Sequence, residues 1–277
     1  MGRRRPEGGG YTLRSRSVRM ATGIVRNLPA IRVEGGVMGE DLTAANVLGA
    51  LRTHADPVRA THSLRFFRTG PGEYGEGDRF LGATVPQVRA VVRRFRGLPL
   101  TEVDRLLGSP WHEARAAAVM LLAEAYPRAN PTSQTAIYRL YLRRADRINN
   151  WDLVDVSAPH VVGRHLASRS RRVLLRLVSS RSLWKRRIAL LATQHFIRHG
   201  DLKDTLVLAA RVLNDREDLI HKAAGWMLRE VGQRERGALD AFLRRHAAEM
   251  PRTMLRYSIE KLPAAERRRW MRVKRAQ

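Results

Sequence analysis

Trp151 and Asp155 stand four residues apart, so on a helix they share one face. Arg187 follows Trp151 by 36 residues, and Arg115, Trp151, Arg187 and Ala223 form a column at that constant spacing. If the spacing is a structural repeat, equivalent positions of neighbouring units sit side by side, which puts Arg187 beside the Trp151/Asp155 face. Trp226, three residues past Ala223, then falls near the same face one unit on. Two indoles, a carboxylate and a guanidinium would converge on one groove, a set equipped to bind a ligand and act on it. Each member also has an ordinary role. A Trp in a packed helix is usually core, and an Asp near a helix start usually serves the dipole or the cap. An Arg within Trp184-Lys185-Arg186-Arg187 is usually solvated or bound to phosphate. Their alignment under one period is what sets the functional reading against these.

Other chemistries have less to stand on. The chain has no Cys, which removes disulfide frameworks, thiolate zinc sites, iron–sulfur clusters and Cys nucleophiles. No His pair combines i, i+4 spacing with the flanking Glu of a zinc protease, and His160 and His165 read as surface or packing residues. Thr69–Gly75 is Gly-rich but lacks the Gly-Lys-Ser/Thr ending of a phosphate loop, so it reads as a turn. No Ser sits in a nucleophile elbow. Neither a metal nor a cofactor is expected.

The surroundings of these residues are strongly basic. Of 277 residues, 52 are Lys or Arg and 26 are Asp or Glu, giving a net charge of +26, while 44% are hydrophobic. The charge therefore belongs on the surface of a folded protein and points to a polyanion partner, whose condensed counterions are released on binding. Only five of the cations are Lys, an Arg skew that GC-rich coding also produces. The longest apolar run, Ala116–Ala123, is far short of the roughly 20 residues that span a bilayer. Arg3–Arg5 has no apolar stretch behind it, so no signal peptide is expected, and the protein should be cytoplasmic and nucleoid-associated. Residues 1–41 read as a basic arm without periodicity: a disordered tail, an overcalled start before Met38, or a DNA-binding arm. Residues 42–271 form one helical-repeat domain, and residues 272–277 a basic tail.

The elements that must position the column are helical nearly throughout. Helices are expected at Ala44–Arg52, Pro57–Arg68, Pro86–Arg96, Trp111–Glu124, Pro131–Asp146, Asn150–Ser157 and Pro159–Ala167. Further ones are expected at Leu183–His199, Lys203–Leu213, Asp218–Val231, Gly237–Ala247 and Pro251–Lys261. Several open with Pro in the first turn, where its missing N–H is harmless. Asn149 or Asn150 caps the Trp151 helix, which stops before Pro159. Two helices and their turns fill about 36 residues, the length of a HEAT-like or armadillo-like unit. The fold class is all-α, a helical-repeat solenoid with a concave basic groove in which Asp155 is a rare carboxylate.

Several stretches resemble the AlkD-type DNA alkylation repair family, DNA glycosylases built from HEAT-like repeats. They are Phe66-Phe67-Arg68-Thr69-Gly70-Pro71-Gly72-Glu73-Tyr74, Phe80-Leu81-Gly82, Asn149-Asn150-Trp151-Asp152-Leu153-Val154-Asp155 and Leu183-Trp184-Lys185-Arg186-Arg187. Leu219–Glu230 and Met250–Tyr257 complete the set, and the resemblance spans roughly residues 42–270. It implies that Trp151, Asp155, Arg187 and Trp226 line a DNA groove, and that an aromatic position near the N-terminus, Tyr in relatives, is Phe66 here. Without the hydroxyl, stacking or apolar contact remains but a hydrogen bond does not.

The resemblance further implies hydrolysis of the N-glycosidic bond of cationic N3- or N7-alkylated purines in duplex DNA. Asp155 would stabilise charge growing on the deoxyribose and position a water. Trp151 and Trp226 would add cation–π stabilisation, and Arg187 would hold a phosphate beside the lesion. No Lys belongs to this set, so the enzyme should be a monofunctional glycosylase, acting as a monomer without deep base flipping and without assistance to neutral lesions. Lys185, Arg186, Lys222, Arg229, Arg252 and Arg256 are the candidate phosphate contacts. A non-catalytic helical-repeat protein that binds bent or branched DNA is the alternative. A protein-binding scaffold is a third, disfavoured by the charge unless its partner is acidic.

Overall fold

The computed structural model describes residues 41–273, in which helices follow one another through short turns. Residues 1–40 of the expected arm and 274–277 of the expected tail lie outside the described residues. Among the described residues there is no strand, only an isolated bridge between Arg79 and Trp111. The all-α expectation is met.

The helices in order are α1 (Ala44–Arg52), α2 (Pro57–Phe66), α3 (Val85–Arg94), α4 (Leu100–Leu107), α5 (His112–Ala125), α6 (Pro131–Arg143), α7 (Trp151–Asp155) and α8 (Arg164–Leu166). They continue as α9 (Arg172–Val178), α10 (Leu183–Arg198), α11 (Lys203–Arg211), α12 (Asp218–Arg234), α13 (Arg236–His246), α14 (Arg252–Ser258) and α15 (Ala264–Met271). Three of them, α4, α9 and α15, go beyond the sequence expectation. Each has only seven or eight residues, too few turns for an apolar period to register. Side-chain caps set several starts: Thr43, Asp56, Asn130 and Ser182 each accept a hydrogen bond from the amide three residues on.

Two layers emerge. The inner helices α5, α7–α8, α10, α12 and α14 stack side by side, and α4, α6, α9, α11 and α13 back them. Being packed from both sides explains why α5 is buried around its circumference, the alanines of Ala114–Val119 together with the polar His112, Glu113 and Arg115. One continuous core runs from Val47 to Leu262. Arg115, Trp151, Arg187 and Ala223 lie in the N-terminal halves of four successive inner helices, which is the column read from the spacing.

Where the column crosses α7 the helix is broken. Asn150, in extended conformation, is the cap, and its side chain accepts from the Trp151 amide at 2.8 Å. After Asp155 the chain takes a π-helical turn over Pro159–Gly163, because Pro159 offers no N–H to continue the α ladder. Gly163, the last residue of that turn, lets its backbone close up on α10: a Cβ there would lie 2.2 Å from the Ala192 carbonyl.

Gly225 does the same between α12 and α14. A Cβ on it would stand 2.5 Å from the Met254 carbonyl and 2.6 Å from Cβ of Tyr257. Both obstacles are close to backbone, so the helices must separate. Gly225→Ala is therefore expected to cost about 1–3 kcal/mol, a fall in Tm of roughly 2–10 °C for a domain of this size. A thermal melt unchanged within error would remove the close-approach argument.

Candidate functional site

The loop after α2 is secured before it can contribute to a site. Buried Glu113 of α5 accepts from the amides of Leu81 (2.9 Å) and Gly82 (2.8 Å). The Asp56 amide donates to Leu81 O at 2.8 Å and Arg59 Nε to Gly82 O at 2.8 Å. These bonds hold α2 against the first repeats, although none of its own residues is buried.

Behind α7 lies a buried polar array. The His112 ring sits between Asp78 (Nδ1 to Oδ2, 3.1 Å) and Asp152 (Nε2 to Oδ2, 2.8 Å). Arg115 and Asn149 both donate to the other oxygen of Asp78, at 2.5 and 3.2 Å. The ring also stacks on Phe80 (4.7 Å) and packs against Phe67 (4.9 Å), which in turn meets Trp151 at 5.5 Å. Sequence spacing placed Arg115 in the column but gave no sign of the array, since its other members come from 78, 112, 149 and 152.

In front of the array, α2, α7, α10, α12 and α14 border a cleft of about 630 Å³. Its lining contains all four residues of the sequence-derived set, Trp151, Asp155, Arg187 and Trp226, together with Phe66. Phe66 is 58% exposed and meets Trp151 edge-on at 5.8 Å. On the far side, Trp226 donates its Nε1–H to Glu230 at 2.9 Å.

Asp155 and Arg187 meet as a bidentate pair. Arg187 Nε donates to Oδ1 at 2.9 Å and Nη2 to Oδ2 at 2.8 Å, while Nη1 donates to the Leu219 carbonyl at 2.6 Å. The pair is largely withdrawn from water, with side chains 15% and 6% exposed. Burial raises the Asp155 pKa above the usual carboxylate range, and the Arg187 charge and hydrogen bonds offset this only in part. Arg187 in this state clamps a carboxylate, a different task from the phosphate contact expected of it.

The remaining cations of the sequence reading are distributed less tightly. Lys222 lines the cleft, paired with Asp218 at 2.8 Å. With Arg256, Thr253 and Tyr257 it also borders an adjoining hollow of about 520 Å³. Lys185, Arg186 and Arg229 lie off the cleft lining and are paired with Asp146 (3.0 Å), Asp215 (2.7 Å) and Glu260 (2.5 Å). Arg252 donates to the carbonyls of Met271 and Val273. The cleft also holds residues without a role in the sequence reading: Arg68, Tyr74, Glu217, Asp218, Leu219 and Tyr257. Asp155 is thus joined by two further carboxylates. Tyr257 closes the Met250–Tyr257 stretch of the family resemblance, which is the signal that could have found it. Among the described residues, no group of three or more His, Asp or Glu is placed to hold a metal ion.

Fold and site together define a helical-repeat protein with an aromatic-walled, carboxylate-bearing cleft across its inner helices. The chain belongs to the DNA alkylation repair enzyme family, whose profile matches residues 47–262. Its fold is similar to the solved structure of a predicted DNA alkylation repair enzyme from Enterococcus faecalis. That likeness has a TM-score of 0.59 at 15% identity and covers 76% of this chain and 98% of the other. Comparison with curated proteins returned no match. Family membership puts the protein in DNA repair, with DNA as its substrate. No helix among the described residues is long and apolar enough to cross a membrane.

Proposed function

We propose that the protein is a monofunctional DNA glycosylase that releases cationic N3- or N7-alkylated purines from duplex DNA. The observation that carries this reading is the Asp155 carboxylate, clamped by Arg187 between Trp151 and Trp226 in one cleft. An alkylated purine of this kind already carries positive charge. When its C1′–N bond breaks, the electron pair leaves with the base and neutralises it, and positive charge moves to the sugar. A fixed carboxylate facing C1′ stabilises that charge, and does so more strongly where water is excluded. The indole faces add cation–π attraction as the sugar becomes oxocarbenium-like. Asp155 then orients the water that adds to C1′ and takes up its proton.

Arg187 fixes the carboxylate rotamer and favours its ionised form, leaving the plane of the carboxylate set before substrate arrives. Schiff-base chemistry would need a neutral amine at C1′, whereas the cleft lysine, Lys222, is ion-paired with Asp218. The site is a cleft between helices, which suits a lesion kept in or near the duplex and acted on by a monomer. The full engagement of Asp155 by Arg187 also fits the second reading, a binding module for bent or branched DNA in which the pair is structural.

The two readings separate in one experiment. Duplex DNA with a single 7-methylguanine or 3-methyladenine is incubated with excess protein, and free base is measured over time. Release above the spontaneous rate supports the glycosylase; tight binding with no release transfers the cleft to the binding module.

A further inference from the structure

The segment leaving α2 ends in a Schellman motif. The Thr69 amide donates to Leu64 O (3.1 Å) and the Arg68 amide to Arg65 O (3.2 Å), so Arg68 occupies the left-handed position that closes the helix. Glycine is the usual residue there, because a Cβ is strained at positive φ. Arg68 has φ 49°, and among the described residues it is the one non-glycine with positive φ. The strain is held by its surroundings. The Arg68 carbonyl accepts from the Gly75 amide at 3.0 Å, and Gly75 itself is packed so closely that a Cβ would stand 2.3 Å from Phe67 O.

The side chain carried by this strained backbone lines the cleft with Phe66, Trp151 and Asp155. Of the three cations in the lining, Arg187 is neutralised by Asp155 and Lys222 by Asp218. Arg68 forms no ion pair among the described residues. In its own loop, Glu73 accepts from the Gly70 amide and Glu76 from the Gly72 amide, both at 2.9 Å, and neither is ion-paired with Arg68. A strained position thus presents a guanidinium without an ion-pair partner to a cleft whose other two cations are paired, with Glu217 the one lining carboxylate that is likewise without an ion pair among the described residues.

We propose that Arg68 is the cleft's phosphodiester-binding residue, its guanidinium gripping a backbone phosphate of the DNA strand that enters between α2 and α12. This rests on DNA occupying the cleft, but not on any bond being broken there. Both terminal nitrogens can donate to one phosphate, a geometry Lys cannot reproduce.

The test uses the full-length protein and an undamaged duplex oligonucleotide, with affinity measured by fluorescence anisotropy over a range of salt concentrations. Arg68→Gly removes the charge and also relieves the backbone, so it should melt no lower than wild type while binding roughly tenfold more weakly. The slope of log K against log salt should become shallower by about one unit, as for one lost phosphate contact. Arg68→Lys should keep the slope and still lose affinity. As a control, Arg211→Ala, on exposed surface of α11 away from the cleft, should change neither. An Arg68→Gly protein that keeps the wild-type slope and affinity overturns the proposal. Wild type that does not bind duplex DNA overturns it together with the glycosylase reading. Binding that depends on Arg68, with no base released from a damaged duplex, leaves this proposal standing and removes only the glycosylase.

Discussion

Asp155→Asn is expected to slow single-turnover release of 7-methylguanine by at least about 100-fold, with duplex affinity changed no more than a few-fold. The size follows from what the charge does. Removing one preorganised group that stabilises transition-state charge typically costs about 10²–10³ in rate, and Asn keeps the shape but not the charge. Arg187 keeps one acceptor and loses its counter-charge, so some stability is lost as well, and rates are to be compared well below both melting temperatures. The pH profile offers a second reading of the same group. The carboxylate must be ionised to act, and burial raises its pKa, so wild-type activity should fall on the acid side at a higher pH than for an exposed aspartate. Asp155→Asn that releases base at the wild-type rate would show that this carboxylate is not the stabilising group.

The largest expected effect on stability is His112→Leu, which should lower Tm by roughly 10 °C near pH 6 and much less above pH 9. Burial opposes charge on the ring, yet the carboxylates of Asp152 and Asp78 overcome it and hold the pKa up at about 9. In the unfolded chain the ring titrates near its ordinary value of 6.5. The stabilisation is therefore complete below pH 6.5 and is lost as pH rises through about 9, a linkage on the order of 3 kcal/mol. At about 2–4 °C per kcal/mol for a domain of this size, the Tm change follows. On the acid side Asp78 matters. Burial works against its charge, but His112 and Arg115 pull its pKa below the usual value, so its contribution persists until pH falls through that lowered pKa. Melting curves of wild type and His112→Leu that differ by the same amount from pH 6 to pH 9.5 would sink the ion-pair account. Because Phe67 bridges His112 and Trp151, the variant should also loosen one wall of the cleft.

Much of the architecture was legible because its signals are local. Capping side chains and the apolar 3.6-residue period mark Ala44–Arg52 and Leu183–Arg198 within a residue or so, and Pro in the first turn marks the starts of Pro57–Phe66 and Pro131–Arg143. The 36-residue column was legible because side-by-side stacking converts equal spacing into neighbouring positions. Local signals fail where tertiary contacts decide. The turn Pro159–Gly163 is π-helical where an α-helix was expected, and the reason lies partly in how Gly163 fits against Ala192 of α10.

The sequence by itself therefore determined most of the helices, the column and the four chemical groups that meet in the cleft, but not α4, α9, α15 or the π-helical turn. Which cations carry ion-pair partners in the folded chain was decided only by the tertiary structure. Lys185 pairs with Asp146 and Arg186 with Asp215, partners about 30 to 40 residues away across helix boundaries, so no linear pattern displays the pairing. For Arg187 burial also decides the partner: a guanidinium withdrawn from water needs a counter-charge, and Asp155 supplies it. Arg68 is the converse case. In sequence it is one basic residue before the glycine-rich stretch Thr69–Gly75, and the fold gives it a strained backbone and a place in the cleft with no ion-pair partner among the described residues.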